Sequence, residues 1–164
     1  MLSQIREICG IDGSTLQNWT KRGWVSNSRN KRYNIDQLAR ILIINMMRDS
    51  MQLERIAQLL TYVNGKAGDV TDDIIPESEL YDLLCRVIDD LVRGDNRTQD
   101  INPTGDGDSD SDEFVRELVK HALTNYDERT PGARKRLENA CEIIIYAHYA
   151  TLVRHKANAF FDKI

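Results

Sequence analysis

Apolar positions recur every three or four residues along most of this chain, a spacing that predicts helices. Ile5, Ile8 and Cys9 mark one side of a short helix over 3–9, which Gly10 ends. Asp12 or Ser14 can cap a second helix that runs to about Arg22 and stops at Gly23. Trp24 to Tyr33 has no helical period, and Asn27-Ser28-Arg29-Asn30 is turn chemistry. A small two-stranded hairpin, or wing, is expected there. The segment 35–48 is apolar almost all round, so its helix must be buried on several sides. Ser50 can cap a helix over 51–63, with Leu53, Ile56, Leu60 and Val63 on one stripe.

Beyond a Gly- and Asp-containing connector, 64–77, Ser78 can cap a helix with a clean amphipathic pattern. Leu80, Leu83, Leu84, Val87, Leu91 and their neighbours keep the i, i+3, i+4 rule until Gly94. A helix resumes near Asp112, carrying Phe114, Val115, Leu118 and Val119. Between them, 95–111 is rich in Asp, Ser and Gly and is expected to be a mobile acidic loop. Thr130-Pro131 is an N-cap followed by proline. The helix it opens has room for about 30 residues, or about 45 Å. The expected organisation is a head over 1–63, a connector over 64–77 and a helical tail over 78–164.

Charge changes this picture. The 164 residues carry a net −4, yet residues 1–63 hold nine Lys/Arg against five Asp/Glu, a local +4. From Gly13 to Ile35 there is no acid, and Lys21, Arg22, Arg29, Lys31 and Arg32 follow one another. A basic face on an acidic protein suits a polyanion, most simply DNA. At 100° per residue, Ser14, Gln17, Asn18 and Lys21 share one arc of helix 13–22 of about 100°. Leu16 and Trp19 fall opposite and can dock inward. Amides and amines are the groups that read adenine and guanine edges in a major groove. Arg29, Lys31 and Arg32 can neutralise phosphates. Thr15, Arg22 and Tyr33 complete the expected DNA-binding set; Tyr33 is equally suited to core packing.

The same residues carry a family resemblance. Gly10 to Val25 is similar, without a gap, to the helix-turn-helix of MerR-type regulators. The matching positions are Gly10, Ile11, Thr15-Leu16, Trp19, Lys21, Gly23, Trp24 and Val25. Lys31 two before Tyr33 resembles that family's wing, and Leu38, Ile56, Leu59 and Leu60 match its flanking helices. Gln17-Asn18-Trp19-Thr20 stands where MerR proteins usually carry Arg-Tyr-Tyr-Glu, and Ser14 replaces a frequent arginine. The resemblance covers 3–63. Over its whole length the chain looks closer to a bacterial family of unknown function with a MerR-like head and a helical tail, in which a Leu-Tyr pair follows the connector, as Leu80-Tyr81 does here. The resemblance implies a mainly α fold: a winged helix-turn-helix head with a small β-hairpin wing, then an all-helical tail. It implies sequence-specific binding of double-stranded DNA in transcription control, without naming an operator.

Other chemistry is thinner. Cys9, Cys85 and Cys141 form no paired or metal-binding spacing and are expected to be reduced core thiols. Asp106 to Glu117 has the carboxylate spacing of a calcium loop but places Ser111 where glycine is needed. No nucleophile set or phosphate loop is present, so neither an enzyme, a cofactor nor a metal is expected. No secretory-signal order and no membrane-spanning apolar run occur, which suggests a cytoplasmic protein. The tail's surplus of apolar helix suggests a homodimer through 78–160, or a small apolar ligand against Tyr146, His148 and Tyr149. The second functional reading is a protein-interaction adaptor that uses the same basic face.

Overall fold

A computed structural model describes residues 2–30, 32–93 and 110–164. Lys31 and residues 95–109 of the expected acidic loop lie outside the described residues. Among the described residues seven helices follow in order: α1 (Leu2–Cys9), α2 (Gly13–Lys21), α3 (Ile35–Met47), α4 (Leu53–Asn64), α5 (Glu77–Arg93), α6 (Asp110–Ala122) and α7 (Ala133–Phe161). α6 takes in the last two positions assigned to the acidic loop.

α3 is the central element. Ile41, Ile43, Ile44 and Met47 are at most 1% exposed, because α1, α4, α5 and α7 all pack against it. The all-round apolar pattern of 35–48 follows from that position. The apolar core runs continuously from Ile5 in α1 to Ala147 in α7. Polar ties reinforce it across long stretches of sequence. Asn64, buried at the end of α4, donates to Ile75 O at 2.7 Å and accepts from Ile74 N at 3.2 Å, folding the connector back. Arg136 of α7 donates to Val63 O at 2.9 Å. Ser50 is no cap: its hydroxyl bonds Ala147 O at 2.6 Å, and α4 starts after Gln52 without a side-chain cap. Ser78 lies inside α5, and Asp36 of α3 accepts from both its backbone N–H (3.0 Å) and its hydroxyl (2.6 Å). α7 begins after Gly132 rather than at Pro131. Cys9 and Cys141 are buried, but Cys85 is exposed, against the expectation of three core thiols.

The expected β-hairpin wing is absent. Among the described residues there is no strand; the segment holds one isolated antiparallel bridge, between Arg29 and Arg32. Their reciprocal bonds of 3.0 and 2.8 Å close a tight turn, with Asn30 at φ 50°. The turn signal was sound, but the backbone on either side has other partners. Gln37 Nε2 donates to Ser26 Oγ (2.8 Å) and Asn27 O (2.9 Å). Arg40 Nε donates to Trp24 O at 2.6 Å. On the other arm, Asn34 already caps α3, leaving no length for a strand. The fold is mainly α, without the wing.

Candidate functional site

α2 is built by its ends. Asp12 Oδ1 accepts from Thr15 N at 2.7 Å and from Ser14 Oγ at 2.7 Å. That N-cap fixes one orphan donor of the first turn. The same bonds hold the Asp12 carboxyl well below its ordinary range, at about 2. At the other end Gly23 N bonds Thr20 O and Trp24 N bonds Trp19 O, each at 3.0 Å, with Gly23 at φ 73°. This pairing needs a left-handed residue after the helix, which glycine supplies without strain.

The resulting helix has two faces. Leu16 and Trp19 are each 1% exposed. Ser14, Gln17, Asn18 and Lys21 are exposed, and Thr15 is half-buried. The face read from the sequence therefore exists. Its groups are not all free, however. Ser14 is engaged by Asp12. Arg22 donates to Asn18 Oδ1 at 3.2 Å, pairs with Glu54 of α4 at 3.0 Å and lies over the Trp24 ring at 5.1 Å. Gln17 and Lys21 are the groups of this face left most open to a ligand.

The basic turn forms a separate feature. Arg29, Arg32 and half-buried Tyr33 line a groove of about 670 Å³, whose far wall is the connector with Lys66, Gly68 and Asp73. No described residue of α2 lines it. The approach is close: a Cβ at Gly68 would lie 2.7 Å from Ser26 Cβ, and Gly68 has φ 88°. Both features restrict this position to glycine. The groove carries both signs of charge, since Asp36 and Glu77 also line it. Burial and the carboxylates of Glu77 and Asp72 push Asp73 up to about 6.

Three residues that position the turn were not in the sequence-derived set. Gln37 holds Ser26 and Asn27, as above. Arg40 holds Trp24 O and ion-pairs with buried Glu77. Asn34 and Gln37 form a reciprocal capping box, with bonds of 2.8 and 2.9 Å. The Asn-x-x-Gln spacing ahead of the apolar run was the available signal. Arg40 and Glu77 lie 37 positions apart and give no local signal.

A family described as a domain of unknown function (DUF1836) matches residues 2–84, slightly more than half of the chain. The chain belongs to this family. The DUF1836 match takes in α1 to α4, the connector and α5 as far as Leu84. It thus spans the α2 face, the basic turn and the Arg40–Glu77 pair as one unit. Comparison with curated proteins and with solved structures gives no match. Among the described residues no helix is long and apolar enough to cross a membrane.

Proposed function

We propose that the DUF1836 segment binds double-stranded DNA sequence-specifically, in transcription control. α2 enters the major groove with Gln17, Asn18 and Lys21 toward base edges. Arg29 and Arg32 of the basic turn reach phosphates. Lys31, outside the described residues, is the cation between them in sequence. The observation that carries the reading is the division of α2 into a buried Leu16–Trp19 side and an exposed amide-and-amine side within a stretch that has no acid from Gly13 to Ile35. Short polar helices braced from behind are suited to groove insertion, and amides and amines have the donor patterns that base edges complement. Asp12 and Glu54 flank this face and set a limit to its positive field, which places more of the affinity on the turn.

A mobility-shift titration against salt tests the proposal. Binding that weakens steeply with salt is expected, because phosphate contacts release counterions. Gln17→Ala is expected to change sequence preference more than overall affinity. Equal loss on every sequence would remove Gln17 as a reader. Salt-insensitive binding, or none to any duplex, would favour a protein-docking role for the same face.

A further inference from the structure

α7 outruns the body it packs on. Every residue from Leu152 to Ile164 is exposed, although Arg154 and His155 still tie the helix to Asp49 at 3.5 and 2.9 Å. Along one side the apolar residues keep strict heptad spacing. Ile143, Ala150 and Ala157 occupy the first position of each heptad, and Tyr146, Val153 and Phe160 the fourth. Ile143, Val153 and Phe160 are 42%, 66% and 59% exposed. Ala150 and Ala157 are exposed as well, and Tyr146 is half-buried. A 3–4 alternation of apolar residues is the code for a two-helix seam. From Ala150 on its apolar residues lie exposed, while nearer the body the Tyr146 hydroxyl donates to Asp112 of α6.

We infer that this seam pairs antiparallel with the same seam of a second copy of the chain. Set Ala150 of one copy against Val153 of the other. Tyr146 then meets Ala157, and Ile143 meets Phe160. All six seam residues are used, and the two inner layers each match a small residue to a larger one. The flanking residues agree with this register. Glu142, already paired with Arg116 of α6 at 3.5 Å, falls beside Lys163 of the second copy, and Tyr149 beside Lys156, where an ammonium can lie on the ring. No like charges oppose one another, which fixes register as well as affinity. A parallel pairing would instead stack Ala157 on Ala157 and Phe160 on Phe160, leaving a gap beside a crowded layer. This inference does not rest on the DNA-binding proposal.

Sedimentation equilibrium of the full chain tests it. A dimer at micromolar concentration is expected, and Val153→Asp should shift it to monomer with unchanged helical circular dichroism. Lys163→Glu alone should weaken the dimer at least tenfold, whereas Lys163→Arg should leave it unchanged. Direction is read by cross-linking in a Cys85→Ser background, since Cys85 is exposed while Cys9 and Cys141 are buried. Ile143→Cys with Phe160→Cys should give a disulfide-linked dimer. Phe160→Cys alone should not, because the two sites would be about 25 Å apart along the helices. A monomer up to about a hundred micromolar, a dimer indifferent to Val153→Asp, or cross-linking by Phe160→Cys alone would overturn the inference. The DNA titration is read separately, so either reading can fail without the other.

Discussion

Arg40 and Glu77 form an ion pair inside the core, with side chains only 6% and 9% exposed. Arg40 comes from the middle of α3 and also donates to Trp24 O just after α2. Glu77 opens α5. One guanidinium therefore joins the end of the helix-turn-helix segment to the first turn of the next helical layer. Burial pushes the Glu77 carboxyl up, and Arg40 pulls it back toward ionisation.

Removing one partner should cost more than removing both. Glu77→Gln leaves a buried guanidinium without its counter-charge, and a loss of about 3–5 kcal/mol is expected. Replacing the pair by apolar residues, Arg40→Met with Glu77→Leu, should recover much of that loss. Urea denaturation of the two variants measures the difference. Equal or greater loss in the double variant would mean that the unpaired buried charge is not the main cost.

Gln37→Ala should release the basic turn without unfolding the core. Its side chain is shared among Ser26, Asn27 and the Asn34 backbone. A loss of about 1–3 kcal/mol is expected from the bonds removed. Hydrogen exchange should accelerate over 26–34 and stay unchanged in α3 and α5. Uniform acceleration across the chain would show that Gln37 supports the whole fold.

Asp73 and Asp12 predict opposite pH dependences. Asp73 rises from an ordinary 3.8 to about 6, so the folded state holds the proton more tightly than the unfolded one. Its contribution to stability is present below pH about 4 and is lost as pH rises through 6. Asp73→Asn should therefore raise Tm at pH 7 and flatten the profile between pH 4 and 6. A lower Tm at pH 7 would contradict this.

Asp12 falls from 3.8 to about 2, so the unfolded state holds its proton more tightly. Its contribution is present above pH about 4 and is lost as pH falls toward 2. Asp12→Ala should lower Tm at pH 7 and have little effect near pH 2, as thermal scans at the two values would show. An equal drop at both would mean that the cap does not depend on the carboxylate charge.

The periodicity was sufficient to place the seven helices of the described residues, because amphipathic spacing is a local property of the chain. It also placed Leu16 and Trp19 inside and Gln17, Asn18 and Lys21 outside. The hairpin failed for a non-local reason: Gln37 and Arg40 take carbonyls 10 and 16 positions earlier that a strand would have used. Ser50 and Ser78 looked like caps and became long-range ties, since Ala147 O and Asp36 compete for their hydroxyls. That Arg29 and Arg32 line a groove with the connector, which no described residue of α2 lines, is likewise a matter of packing rather than of sequence spacing.

The central claim is DNA binding through α2 and the basic turn. Its most direct test is a salt titration of binding to duplexes selected from a random pool, for the full chain and for Arg32→Ala. The account predicts a linear fall of log K with log salt, and a slope smaller by about 0.9 in Arg32→Ala, one phosphate contact fewer. No enrichment of any duplex, or an identical slope in the two proteins with unchanged affinity, would contradict it.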